Sequence, residues 1–243
     1  MIQFALRHCL QIQRNLYHIP MDAGRFQTYA ALVRGDHGPP LFGLTLMNPA
    51  RKPHVAATLD HLLKFDAEQI AQNILANDAT TPEASDVRRF ELSLVVVDDR
   101  GGGWTNRHFV EFENCFKITY SVKHNIAVTP FWTSETPTAA QVAREVTATL
   151  RRSRLLVKAG PPRTLRQVLE REARCYAGMD FASPDPDELA YNRQVIESFL
   201  NSEELPIIFA CLYGDDAVEA IGMTPLGLSP RAGYQLLADL VAT

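Results

Sequence analysis

Side chains able to move protons or hold anions crowd into three short stretches of this chain. The richest is VVVDDRGGGWTNRHF, from Val95 to Phe109. Asp99 and His108 are of the types that act as general acid or base. Asp98 and Asp99 offer the hard oxygen ligands that suit Mg²⁺. Neighbours on a strand point to opposite faces, so the two aspartates grip one ion only if the strand has already ended. The plainer alternative is an Asx turn partly paired to Arg100.

Gly101, Gly102 and Gly103 then permit close approach to the backbone. If a helix starts after them, its free N–H groups attract phosphate or carboxylate. The run matches neither G-x-G-x-x-G nor G-x-x-x-x-G-K-[ST], and an unliganded loop is the competing reading. The second stretch follows Trp132 and holds Ser134 and Glu135, a third acid–base candidate. Trp132 and Trp104 are placed to wall a planar ligand or to pack in the core. The third stretch, Asn48 to Pro53, contributes Arg51 and Lys52.

The candidate set is therefore Asp99, His108 and Glu135 for proton transfer. Arg51, Arg100, Gly101, Gly102, Gly103, Trp104, Thr105, Asn106, Arg107, Trp132 and Ser134 are the candidates for ligand binding, and Asp98 with Asp99 for a metal. Other motifs carry less. His54 and His61 are seven apart on an expected helix, hence ~10.5 Å along its axis, too far to share an ion. GLSPR (Gly227 to Arg231) resembles a nucleophile elbow, but Arg231 replaces the second glycine and Ser229 suits a helix cap. The four cysteines, Cys9, Cys115, Cys175 and Cys211, form no C-x-x-C pair and read as buried thiols.

The elements that must hold these residues follow from periodicity and punctuation. Residues 2–17 read as a helix. Residues 25–34 and 41–47, separated by Gly35-Asp36-His37-Gly38-Pro39-Pro40, read as an antiparallel hairpin. Residues 54–77 have helical spacing and break near Phe65, where Asp66 and Gln69 make a capping pair. Residues 87–97 read as an interior strand. Residues 105–118 sort their aromatics better as a helix (Phe109, Phe112, Phe116) than as a returning strand, with Thr105 as N-cap. A strand over 125–133 precedes a helix from 138 that carries the capping box Thr138–Gln141. From Gly160 onward the chain reads as helical, with Gly178 as a C-cap and Asp187 as an N-cap. Residues 205–213 fit strand or helix, and 230–241 a final helix after Ser229-Pro230.

The expected fold is α/β, with a mixed α+β arrangement as the alternative. A central mixed sheet combines the N-terminal hairpin with parallel strand–loop–helix units, and the C-terminal third is mainly helical. It is read as one domain over 1–243, with the sheet in 1–135 and a helical portion, 138–243, packed on it. Strand–loop–helix units place their loops at one carboxyl edge, where open α/β sheets bind ligands. The three stretches should therefore meet.

At 243 residues, 46% of them hydrophobic, the chain can bury a core without staples. No apolar run reaches the ~18 residues of a membrane span, and no signal-peptide pattern opens the chain, so a cytoplasmic protein without membrane contact is expected. The net charge of -4 conceals an asymmetry. Residues 144–174 hold nine Lys or Arg against three acids, net +6, and residues 180–204 hold seven acids against one Arg, net -6. The basic segment could meet nucleic acid, the third and weakest reading, or the two segments could pair with each other or with another subunit. The leading expectation is a hydrolase or transferase acting on a small phosphate- or carboxylate-bearing substrate. The alternative is a non-catalytic ligand-binding or interaction module, compatible with a homodimer.

Overall fold

The structure is a computed structural model. It describes residues 2–50, 52–78, 87–100, 106–116, 118–179 and 184–237, with backbone alone for the helical residues among 114–120. The chain is mixed α/β, and a three-stranded sheet lies among helices. Two compact units divide it: Met1–Arg107 with Thr119–Ser153, and His108–Ile118 with Arg154–Thr243.

The first unit holds the sheet. β1 (Ile2–Arg7), β2 (Arg88–Val97) and β3 (Ile126–Trp132) lie in the order β1-β2-β3 and are parallel throughout, with Phe4 opposite Phe90 and Leu92 opposite Ala127. Parallel sheets are covered on both faces, which explains why β2 is buried along its last six residues. Phe90, Leu92, Leu94 and Val96 of β2 share one core. It takes Leu10 of α1 (Leu10–Leu16), Val55, Leu59 and Leu62 of α3 (Pro53–Lys64), and Ala67, Ala71 and Leu75 of α4 (Ala67–Asn77). Val142, Val146 and Leu150 of α7 (Ala139–Ala159) complete it. On the other face a 3-10 turn, Phe42–Leu46, presses its Gly43 against β2. A Cβ there would stand 2.9 Å from the Cβ of Ser93.

Two N-terminal expectations are corrected. Residues 2–17 are not one helix: Ile2, Phe4 and Leu6 alternate toward the core as β1, and α1 begins only at Leu10. The antiparallel hairpin does not exist. Its first arm is α2 (Ala23–Arg34), whose N-cap Asp22 accepts from the N–H groups of Gly24 and Arg25. Gly35, at φ +80, is the left-handed C-cap of α2 rather than a hairpin turn, and the second arm is the 3-10 turn. Caps act locally and override the β-like look of a short apolar run.

The remaining elements of the first half follow the pattern. α3 and α4 break at Phe65, and the Asp66 carboxylate accepts from Gln69 N. The expected strand over 87–97 is β2, and the helix after the glycines is α5 (Arg107–Phe116), followed by an unforeseen α6 (Ile118–His124). Thr138 caps α7 by accepting from Gln141 N.

The second unit is helical. It contains α8 (Leu165–Tyr176), α9 (Pro186–Glu197), α10 (Leu205–Tyr213), α11 (Asp215–Glu219) and α12 (Ala232–Gln235). Residues 205–213 are thus helix, ended by Gly214 as the helical alternative requires. The α9 cap is Asp185, not Asp187. α8 stops at Tyr176, with Ala177 as its C-cap and Gly178 beyond it at φ +73. The last described helix begins after Arg231 rather than at Pro230. Among the described residues no helix is long and apolar enough to cross a membrane.

Candidate functional site

β2 and β3 are parallel, so the residues after Val97 and after Trp132 emerge at the same edge. The Thr133 N–H donates to the Val97 carbonyl at 3.1 Å and carries the ladder one step past the strands. That step sets Thr133 beside Asp98. Gln13 of α1 finishes the other side of β2 where β1 has ended. Its amide accepts from Val96 N at 2.9 Å and donates to Val96 O at 2.6 Å. The end of the central strand is therefore held from both sides.

Asp98 is 1% exposed, and donors from three chain segments converge on it. Its Oδ1 accepts from His54 Nε2 at 2.8 Å, Thr133 Oγ1 at 3.1 Å and the Arg100 N–H at 3.2 Å. Lys52 Nζ lies 2.6 Å from Oδ2. Burial alone pushes this carboxyl up, but the bonds from His54, Lys52, Arg100 N and Thr133 outweigh it and hold it below its ordinary value. An ionised Asp98 can only accept, so His54 donates to it from Nε2. Lys52 is the N-cap of α3 and His54 lies in its first turn, after Pro53 at the first helical position. Both side chains keep partial contact with water, at 22% and 31% exposure.

Asp99 serves a different set of partners. Its Oδ1 accepts from Ser134 N at 2.8 Å and from Thr133 Oγ1 at 3.1 Å, and its Oδ2 accepts from Ser134 Oγ at 2.6 Å. Arg107, at the start of α5, reaches Asp99 Oδ2 at 4.0 Å and Glu135 Oε1 at 2.6 Å, with its guanidinium 5.4 Å from the Trp132 ring centre. Gln141 donates to the other Glu135 oxygen at 2.6 Å. The two aspartates thus address separate groups, with Thr133 between them. Among the described residues no group of three His, Cys, Asp or Glu is placed to hold a metal ion.

A second layer fixes the segment that carries Lys52 and His54. Tyr17 donates to the Asn48 carbonyl at 2.5 Å, and the Asn48 side chain accepts from Ala50 N at 2.9 Å. Arg25, 1% exposed, donates to the carbonyls of Tyr17, Ile19 and Pro49. Burial pushes the Tyr17 phenol up, and the Asp98 charge adds to that, so Tyr17 stays a donor. At the end of β1, Glu68 of α4 accepts from the N–H groups of Cys9 and Leu10 and so caps α1. Burial pushes the Cys9 thiol up to about 11 and that of Cys211 up to about 12, which removes both as nucleophiles near neutral pH.

The structure brings Asp98, Asp99, Arg107, Trp132, Ser134 and Glu135 to one edge. Arg100 is there with an exposed side chain, and Asn106 is exposed just before α5. His108 falls in the second unit, its ring 5.1 Å from that of Tyr213. Arg51, Gly101, Gly102, Gly103, Trp104 and Thr105 lie outside the described residues. The sequence points to His54 only as a partner of His61, not as a site residue. Its position in the first turn after a strand-edge segment was the available signal. Lys52 was seen as an edge cation, but its pairing with Asp98 spans 46 residues and has no local trace. Neither a protein family, a curated protein nor a solved structure matches this chain.

Proposed function

We propose that the first unit takes a small phosphate- or carboxylate-bearing molecule at the carboxyl edge of its sheet. There it performs a hydrolytic or transfer step, with His54 as the general base. The observation that carries this reading is the Asp98–His54 pair. A buried, ionised carboxylate holds Nε2 of an imidazole that keeps partial contact with water. Lys52, Arg100 and Arg107 supply the positive charge for an anion, as hydrogen-bond donors and as point charges. His54 takes the role that the sequence offered to His108, and Asp99 holds Ser134 rather than a proton in transit.

The test is turnover of a panel of phosphorylated and carboxylated small molecules by the wild type, His54→Ala and Asp98→Asn. Loss of the base should slow turnover about 10²- to 10⁴-fold. Turnover unchanged in His54→Ala removes the role.

A second reading, a non-catalytic ligand site, is favoured by charge balance. Lys52 is paired with Asp98, and Arg107 with Asp99 and Glu135, so the cations of the edge are already matched to its acids. A melting-temperature shift with phosphate, without product from any compound of the panel, selects that reading.

A further inference from the structure

Arg163 and Arg166 of the basic segment are not paired with Glu203 and Glu204 of the acidic one, although the chain brings them near each other. Two backbone bonds, Leu165 N to Ser202 O at 3.1 Å and Arg166 N to Leu200 O at 2.8 Å, fasten the start of α8 to the chain leading into α10. This places Arg163 and Arg166 beside Glu203 and Glu204 on one edge of the second unit. All four side chains are exposed, and none has an ion-pair partner within 4.0 Å among the described residues. Leu205, next to the glutamates, is 51% exposed. The arginines flank the N-terminal end of α8, where the helix dipole opposes cations, so their placement gains nothing from the helix itself. The glutamates, ahead of α10, are where the dipole welcomes acids.

We propose that this edge is a self-complementary surface through which two copies of the chain associate about a two-fold axis. A patch with positive and negative groups side by side matches its own rotated copy: the arginines of one copy meet the glutamates of the other, twice, around the paired Leu205 side chains. A polyanion such as nucleic acid fits the patch less well, because Glu203 and Glu204 repel phosphate beside the arginines. The proposal does not depend on the reading of the Asp98 edge.

Sedimentation of the full chain over a range of concentrations tests it. The wild type should dimerise, and raising the salt from about 0.1 M to about 1 M, which shortens the Debye length from about 10 Å to about 3 Å, should weaken the dimer. Arg163→Glu with Arg166→Glu, or Glu203→Lys with Glu204→Lys, should each weaken association about a hundredfold through like-charge contacts. The chain carrying all four reversals is self-complementary again and should dimerise like the wild type. A wild type that stays monomeric at every concentration overturns the proposal, including one that binds a mixed oligonucleotide through Arg163 and Arg166. A salt-insensitive dimer, or a dimer indifferent to both pairs of reversals, also overturns it. Circular dichroism of each variant confirms that it is folded.

Discussion

Asp98 in the first unit and Arg231 in the second are both charges drawn away from water, and their surroundings differ in kind. Asp98 is bonded by donors from three segments, two of which, Lys52 and His54, keep a face toward solvent. Arg231 is half-buried. It donates to Glu111 at 3.1 Å and its guanidinium lies 4.5 Å from the Tyr234 ring centre. Burial pushes that guanidinium down, but the charge of Glu111 first, and then the phenol groups of Tyr234, Tyr213 and Tyr176, raise it above its ordinary value. The second cluster is therefore one fixed cation matched to one acid and stacked on an aromatic, which is a way to hold helices together. The first is a fixed anion that orients an imidazole, a side-chain type whose charge can change near neutral pH. The difference separates the proposed site from a cluster that supports structure.

Removing each central charge breaks the comparison most directly. Asp98→Ala leaves Lys52 and His54 facing a void without their counter-charge, and should cost about 3–5 kcal/mol of unfolding free energy in urea. Arg231→Met retains much of the stacking area and should cost about 1–2 kcal/mol. Equal losses would mean that the Asp98 cluster is no more concentrated than the Arg231 cluster.

Acid sharpens the same contrast. The folded-state pKa of Asp98 lies below its unfolded value of about 3.9, so its contribution is complete above that value. It is lost as pH falls below about 4 and through the lower folded value, because the unfolded chain binds the proton more readily there. The stability of Asp98→Asn should therefore fall less steeply below about pH 4 than that of the wild type. Arg231 itself does not titrate in this range. Parallel acid limbs for the wild type and Asp98→Asn would remove Asp98 from the account of acid unfolding.

What could be read in advance follows the range of the interactions. Strand β2, the break at Phe65 and the caps of Asp66 and Thr138 are written within a few residues, and the sequence shows them. β1 is short, and both it and α2 carry apolar residues that suit either period. Their identities are decided by pairing with β2 some 85 residues away and by the caps Asp22 and Gly35. The same division holds at the site. Asp99, Ser134, Glu135 and Arg107 belong to loops that two adjacent parallel strands bring together, so the topology alone groups them. The partners of Asp98 come from a helix start 44 and 46 residues earlier, and only tertiary structure joins them.

The finest distinction lies within the first unit, between the two neighbouring aspartates, and Thr133 is the side chain that both share. The residue is 2% exposed and its hydroxyl lies 3.1 Å from an oxygen of each, but it has one proton to give. Thr133→Val keeps the shape and removes that proton. Asp98 would retain Lys52, His54 and Arg100 N, and Asp99 would retain both groups of Ser134 but lose the hydroxyl that accepts from its own N–H at 3.3 Å. The loss should be about 1 kcal/mol, the scale of a single buried hydrogen bond, and Thr133→Ser should recover most of it. Denaturant midpoints of the three proteins measure this. A loss in Thr133→Val as large as that in Asp98→Ala would shift the organising role from the carboxylate with its Lys and His to the hydroxyl that links the two loops.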